Sequence, residues 1–217
     1  MSEEKKKKVQ DGTTISRRSF IKGVGTGVVA ATVAPTSLIQ KASAQQSMDE
    51  LPGVTEAIIS LNINKRTYNV KVESRTTLLS VLRDGIDVNG ERINLTGAKL
   101  VCDRGECGGC TVLMDGKTVY SCMTLALDAQ GKEITTIESL ADGDKLHPIQ
   151  EAFIEHDALQ CGFCTPGFVM SAKALLDEHP DPTLEEIKRG LAGNLCRCGT
   201  YPRIFEAVQT AAKRMRA

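Results

Sequence analysis

A chain of 217 residues, 41% of them apolar, can bury one large core or two small ones without disulfide support. Its formal charge is zero but unevenly distributed: residues 1–44 hold 8 Lys/Arg and 3 Asp/Glu, and residues 45–217 carry −5. Aromatic residues make up 4% and no basic stripe is available to neutralise phosphates, which argues against nucleic-acid binding.

The first 44 residues have the features of an export signal. Lys5–Lys8 supply a basic start, RRSFIK follows at residues 17–22, and a modest apolar stretch runs over Gly23–Ala34. Ala42–Ala44 then offers a small residue on each side of a cleavage position. A basic region, a short apolar region and an A-x-A site define a cleavable secretory signal. The paired arginines make it similar to a twin-arginine signal in particular.

This segment predicts export rather than membrane anchoring. Roughly a dozen apolar residues, interrupted by glycines and ended by Pro35, are too few to span a bilayer. We therefore expect a periplasmic protein without stable membrane insertion, exported folded by the twin-arginine pathway with residues 1–44 as its signal peptide. Metal uptake before export would also protect the many thiols from disulfide formation in an oxidising compartment.

A linker at residues 45–55 is expected to precede a first domain at residues 56–141. Within it, Glu56–Asn64 and Arg66–Val72 alternate apolar and polar residues around a short polar turn, which predicts a β-hairpin. Thr77–Arg83 suits a short amphipathic helix. The apolar candidates of the first strand are Ile58, Leu61 and Ile63.

Eight cysteines are too many for ordinary core packing, so disulfides, structural zinc and iron–sulfur clusters compete as explanations. The first four have the spacing C-x4-C-x2-C, with the fourth brought back by a strand, an Asp-Gly turn and a second strand. Plant-type 2Fe–2S ferredoxins have this spacing, whereas zinc favours separated cysteine pairs. The predicted ligands are Cys102, Cys107, Cys110 and Cys122.

Three glycines between these cysteines also suit a cluster. Four thiolates must converge on a compact, electron-rich core, so the loop backbone must come close to it. Gly105, Gly108 and Gly109 permit this approach and tolerate positive φ. Because their N–H groups can point at cluster sulfurs, we predict that these glycines contact the cofactor.

From residue 146 to residue 217 the apolar period becomes helical, which predicts a second domain. Thr165-Pro166 resembles an N-cap followed by proline at the first helical position, and Thr183–Glu186 has a capping-box pattern. The first of these helices should bury Ile149, Ala152, Phe153 and Ile154. The four predicted helices are Pro148–Ala158, Thr165 to about Glu178, Thr183 to about Leu191, and Tyr201 or Pro202 to about Arg214.

The second group of cysteines lies beside the ends of these helices. Cys161 and Cys164 form C-x2-C before the second helix, and Cys196 and Cys198 form C-x-C before the fourth. Helix N-termini near both pairs favour an anionic cluster. By spacing alone, structural zinc and a dithiol redox switch remain open for this group.

Taken together, the motifs resemble one known family. The first quartet, followed by QCGFCTPG at residues 160–167 and LCRCGTY at residues 195–201, resembles the iron–sulfur subunit of the molybdenum hydroxylases, the xanthine dehydrogenase/aldehyde oxidase family. The resemblance covers roughly Glu56 to Ala217, and the export signal makes it most similar to periplasmic aldehyde oxidoreductases. It implies an α+β fold with an N-terminal β-grasp ferredoxin domain and a C-terminal four-helix domain, each holding one 2Fe–2S cluster.

The resemblance also implies partners and roles. The second quartet would hold the cluster next to a molybdopterin cofactor on a large subunit, with Gln160 and the region of Cys198 touching the pterin. The first cluster would face FAD on a medium subunit. The chain would then relay single electrons from molybdenum to flavin while substrate oxidation occurs on another chain, and no catalytic group is expected here.

Three alternatives remain at this point. The chain could be a free-standing ferredoxin-like carrier, or a zinc-stabilised binding module without redox activity. It could also serve an N-heterocycle hydroxylase, because an aldehyde substrate is favoured only by the export signal.

Overall fold

The computed structural model describes residues 55–216 of the chain, so the predicted export signal and nearly all of the linker lie outside it. The strands precede most of the helices, which makes the fold α+β, as predicted. In chain order the elements are β1 (Glu56–Ile63), β2 (Arg66–Glu73), α1 (Leu78–Asp84), β3 (Thr111–Met114), β4 (Lys117–Tyr120), β5 (Glu133–Thr135), α2 (Pro148–Glu155), α3 (Thr165–Glu178), α4 (Leu184–Gly190) and α5 (Tyr201–Arg216).

The five strands form one mixed sheet in the order β2-β1-β5-β3-β4. Strands β1 and β2 form the predicted antiparallel hairpin, while β5 pairs parallel with β1 and antiparallel with β3. Ile59, Leu61 and Ile63 are buried, but Ile58 is 68% exposed, so its assignment to the apolar face was wrong. Side chains alternate with a period of two, and burial of Leu61 and Ile63 therefore selects the odd-numbered positions.

Helix α1 closes this core. Thr77 caps it by accepting a hydrogen bond from the Ser80 N–H, and its four apolar residues are all buried. Arg83, at its end, donates to the carbonyl oxygens of Thr96 and Ala98 and so anchors the chain leading to the first cysteine loop.

Helices α2 to α5 surround a second hydrophobic core, separate from the first. In α5 the buried residues Ile204, Ala207, Val208 and Ala211 recur with a helical period. Thr183 and Glu186 form the predicted capping box of α4, and His147 with Gln150 forms another at α2. Two details were predicted wrongly: Ile154 is 61% exposed, and the N-cap of α3 is Cys164 rather than Thr165.

The two cores meet near residue 137. Ile137 and Leu140, which lie within the predicted first domain at residues 56–141, pack on the helical core. We call residues 55–136 the sheet region and residues 137–216 the helical region. Within residues 55–216, the helices fall short of the length and apolar character needed to cross a membrane.

Candidate iron–sulfur sites

The first cysteine loop is residues 102–110, between α1 and β3. The Lys99 N–H donates to the Gly109 carbonyl at 2.9 Å and closes the base of the loop. The β3–β4 hairpin brings Cys122 back beside Cys110, where the Ser121 hydroxyl donates to the Cys110 carbonyl at 2.8 Å. Cys110 and Cys122 are buried, and Cys102 and Cys107 are half-buried. The fold thus gathers the four predicted ligands on one loop and one hairpin.

Backbone amides of the loop point at the cysteine sulfurs. The Arg104 N–H, assisted by those of Glu106 and Cys107, lowers the pKa of the Cys102 thiol to about 7. Burial raises the pKa of Cys122 to about 11, against the opposing effect of the Gly105 N–H. Amides that converge on sulfur stabilise the thiolate, which is the form that binds iron.

The three predicted glycines have different structural roles. Gly105 and Gly108 have φ of +76° and +68°, a conformation that other residues rarely adopt. Gly109 does not have positive φ; its N–H donates to the Cys107 sulfur at 3.5 Å. A Cβ at Gly109 would lie 2.8 Å from Cγ2 of Val101, so space is what limits this position.

The second group of cysteines lies on two facing loops of the helical region. Cys161 is exposed and Cys164 caps α3, while Cys196 and Cys198 precede α5. Burial alone would raise the pKa of Cys196, but the hydroxyl and N–H of Thr200 and the N–H of Gly199 lower it to about 7. Burial raises the pKa of Cys164 to about 12, and the neighbouring Cys196 contributes to this shift.

Hydrogen bonds between thiols join Cys102 to Cys107, Cys110 to Cys122, and Cys164 to Cys196. Cys102 and Cys161 also act electrostatically on Cys122 and Cys164, respectively. Within residues 55–216, no three His, Cys, Asp or Glu side chains converge on the position of a single metal ion. Tetrahedral zinc needs all of its ligands at one centre, whereas each iron of a 2Fe–2S cluster takes two cysteines. The two pairs of the first quartet therefore suit the two irons of a 2Fe–2S cluster.

One buried hydroxyl also fits a cluster. In the described part of the chain, Thr165 Oγ1 is the buried side-chain oxygen that lacks a hydrogen-bond partner. Leaving such a group unpaired costs about 1–3 kcal/mol. Thr165 directly follows Cys164, and a cluster sulfur held there would accept its hydrogen bond.

Replacing Thr165 with valine should therefore lower the reduction potential of the cluster in the helical region. A hydrogen bond that stabilises the reduced form by about 1 kcal/mol corresponds to roughly 40 mV for one electron. Redox titration followed by EPR measures the shift, and Thr165→Ser, which keeps the hydroxyl, is the matched control. Equal potentials in the valine and serine variants would show that the hydroxyl has another partner.

Gln160, predicted to contact the pterin, has an exposed side chain beside exposed Cys161. Nearby, Phe163 and Leu195 are also exposed, at 50% and 55%. The first cysteine loop has its own exposed apolar neighbours, Val101 and Met123. Both candidate sites are thus accessible from outside the chain.

The residues that join the two sites were not predicted from the sequence. Asn194 is buried between them, and the Leu195 N–H donates to the Cys107 carbonyl at 2.9 Å. The Tyr120 hydroxyl donates to the Gly193 carbonyl at 2.9 Å. The available signal was that Asn194 is a polar residue close to the second cysteine motif. That signal does not reveal its hydrogen-bond partner Gly108, which lies 86 residues away in sequence.

Two protein-family models match the chain and define it as a 2Fe–2S protein. The model "2Fe-2S iron-sulfur cluster binding domain" matches residues 61–159, and the model "2Fe-2S binding domain" matches residues 136–209. Both candidate sites lie within these matches.

Relatives of known name narrow the class. The aldehyde oxidoreductase iron-sulfur-binding subunit PaoA of Escherichia coli (strain K12) is 39% identical over 214 residues, covering 92% of this chain and 89% of that protein. The nicotine 6-hydroxylase small subunit of Paenarthrobacter nicotinovorans is 52% identical over 153 residues, covering 70% and 88%. The crystal structure of quinoline 2-oxidoreductase from Pseudomonas putida 86 has a TM-score of 0.68 and 40% identity, covering 74% of this chain and 96% of that chain.

The chain belongs to the iron–sulfur subunits of the molybdenum hydroxylase family. The resemblance inferred from the cysteine motifs is confirmed, and so is the electron-transfer role that it implied. The zinc module and the free-standing carrier are disfavoured accordingly.

Proposed function

We propose that the chain relays single electrons through two 2Fe–2S clusters, from a molybdopterin-bound molybdenum site on a large partner subunit to FAD on a medium one. When bound, the clusters supply one-electron redox chemistry. The chain's own residues hold them: Cys102, Cys107, Cys110 and Cys122 the first, and Cys161, Cys164, Cys196 and Cys198 the second.

One observation carries this proposal: the hydrogen bond from the Leu195 N–H to the Cys107 carbonyl. Cys107 is a predicted ligand of the first cluster, and Leu195 directly precedes Cys196, a predicted ligand of the second. A path from one site to the other therefore needs a few covalent bonds and this one hydrogen bond. A relay requires redox centres that lie close together, and two unrelated structural metal sites would not need this contact.

The finer fold and the partner surfaces belong to the same proposal. The sheet order β2-β1-β5-β3-β4, with α1 packed on it, supports a β-grasp ferredoxin domain, and α2–α5 support a four-helix cluster-binding domain. We place the molybdopterin subunit at Gln160, Phe163 and Cys198, and the FAD subunit at the surface around Val101 and Met123.

Aldehyde oxidation to the carboxylic acid is the activity we propose for the complete enzyme. The match to the aldehyde oxidoreductase subunit covers 92% of the chain. It therefore extends beyond residues 55–217 into the N-terminal segment, which supports this choice. The nicotine 6-hydroxylase small subunit is more identical over a shorter stretch, so N-heterocycle hydroxylation is the second candidate. Turnover of an aromatic aldehyde against a pyridine by the purified complex distinguishes the two.

Native purification tests the relay itself. The chain should co-purify with larger subunits that carry molybdenum and FAD, and the reduced complex should give two distinct 2Fe–2S EPR signals. A single signal, or a chain that elutes alone with full redox activity, would contradict the proposal.

We also propose export of the folded protein to the periplasm. Replacing Arg17 and Arg18 by lysine should leave nearly all of the protein in the cytoplasm with its clusters bound, because the paired arginines are the feature specific to this pathway. Cell fractionation with immunoblotting measures the distribution, and Lys6→Gln, outside the arginine pair, is the control. Unchanged export of the double variant would contradict the twin-arginine assignment.

A further inference from the structure

The sheet and helical regions meet through a polar contact, which we call the interdomain seam: Gly108 and Thr111 on one side, and Ser171, Asn194 and Leu195 on the other. Asn194 lies at its centre and is 4% exposed. Its side-chain N–H groups donate to the Gly108 carbonyl at 3.0 Å and to Thr111 Oγ1 at 3.4 Å. Its carbonyl oxygen accepts from the Ser171 hydroxyl at 2.7 Å. Both ends of one amide are therefore used.

The backbones at the seam leave no room for adjustment. A Cβ at Gly108 would lie 2.5 Å from both the Asn194 amide nitrogen and the Gly193 carbonyl oxygen. A Cβ at Gly167 of α3 would overlap the Gly108 carbonyl oxygen. Because these approaches are close and involve backbone, a side chain at either glycine would push the two regions apart.

Asn194 is covalently next to Leu195, whose N–H donates to the Cys107 carbonyl. Gly108, which accepts from Asn194, is covalently next to Cys107. The side-chain and backbone hydrogen bonds thus join the same two loops one residue apart, and the amide fixes the register in which the backbone bond forms.

We propose that Asn194 is a positioning residue that holds the two cysteine loops in register and thereby sets the coupling between the two clusters. This inference rests on the proposed function, in that both loops must hold clusters. Asn194 does not touch a cysteine sulfur in the contacts described above; it acts through Gly108 and Leu195. Both magnetic coupling and electron tunnelling weaken as redox centres move apart, so loss of register reduces both.

The nature of the side chain makes the requirement specific. Aspartate has the same shape, but as a carboxylate it cannot donate to Gly108, and its oxygen would face that carbonyl oxygen. Leucine fills similar volume but removes the acceptor of the buried Ser171 hydroxyl, which is costly. The Gly108 carbonyl then keeps only the N–H and hydroxyl of Thr111, on its own side of the seam. Either change opens the seam, while the eight cysteines remain in place.

The test is EPR of the fully reduced full-length chain, purified with its clusters. The unaltered chain should show splitting or broadening from the interaction of two nearby reduced clusters. Asn194→Asp and Asn194→Leu should lose this interaction while keeping both cluster signals and the full iron content. Asn89→Ala, at an exposed asparagine, is the matched control and should retain the interaction.

A second variant separates positioning from general stability. Tyr120→Phe removes the neighbouring hydrogen bond to the Gly193 carbonyl and leaves the Asn194 contacts in place. We expect it to lower the thermal midpoint but to retain the inter-cluster interaction. If Asn194→Asp keeps the interaction, or if Tyr120→Phe loses it equally, Asn194 has no special positioning role. Absence of either cluster from the unaltered chain would instead overturn the proposed function.

Discussion

Replacing Cys164 with serine should remove one cluster and leave the other intact. Serine has nearly the same shape as cysteine, but its hydroxyl does not ionise near neutral pH, and thiolates are the ligands of iron–sulfur clusters. Cys164 lies in the helical region, whose core is separate from that of the sheet region. We therefore expect iron and acid-labile sulfide to fall by about half, with one of two EPR signals lost. Turnover of the assembled complex should be abolished, because the relay is interrupted.

The reciprocal change, Cys107→Ser, is the matched comparison. It should remove the other EPR signal and spare the first, since Cys107 belongs to the loop of the sheet region. Unchanged iron content in both variants would refute the assignment of the two quartets. Loss of the same signal in both would show that Cys164 and Cys107 serve one site, which contradicts the assignment of two separate quartets.

Replacing Gly167 with alanine should destabilise the folded chain although it improves the local helix propensity. Alanine is favoured over glycine inside a helix by about 1 kcal/mol. At this position, however, the added methyl group overlaps the Gly108 carbonyl oxygen and also approaches the Asn194 amide to 3.1 Å. Both neighbours are held by other hydrogen bonds, so the helix itself must move. Overpacking of this kind costs about 1–3 kcal/mol. We expect a lower thermal midpoint and a weaker interaction between the two EPR signals.

Gly190→Ala offers the matched control, because it also adds a methyl group to a helical glycine. Its Cβ would meet only the flexible end of Leu175, at 3.0 Å. A side chain can rotate away where backbone cannot, so we expect a thermal midpoint close to that of the unaltered chain. If both substitutions lower the thermal midpoint equally, the seam accommodates an added methyl group as well as an ordinary helix contact does, and the prediction is wrong.

Much of the fold could be predicted because the signals were local. The hairpin, the two helices with threonine caps and the start of α2 at Pro148 depend on nearby residues alone. Ile58 was assigned to the wrong face although the period of two already groups Ile59, and not Ile58, with Leu61 and Ile63. The prediction that Ile154 is buried was also wrong. The helix period shows which side of α2 faces the core, but not how wide the buried stripe is.

Local signals also predicted the cysteines of the candidate sites, but not the residues that join the two sites. Cysteine spacing along one loop favours a cluster at the first quartet, whereas the second quartet was assigned through the family resemblance, and all eight ligands stay a prediction. Asn194 and Tyr120 could not be predicted, because their partners lie in the other region of the chain and no short motif links them. Thr165 was noticed as a helix cap, whereas the structure leaves its hydroxyl without a partner beside Cys164.

Burial of the cysteines has a consequence for the biogenesis of the protein. Cys110, Cys122 and Cys196 are each at most 7% exposed, although every quartet also has sulfurs that are half-buried or exposed. We therefore expect cluster insertion to occur before folding is complete, or through a local opening that uncovers the buried sulfurs. In a pulse-chase experiment, newly made chains should bind iron before they become resistant to protease, and chains made without iron should remain cleavable.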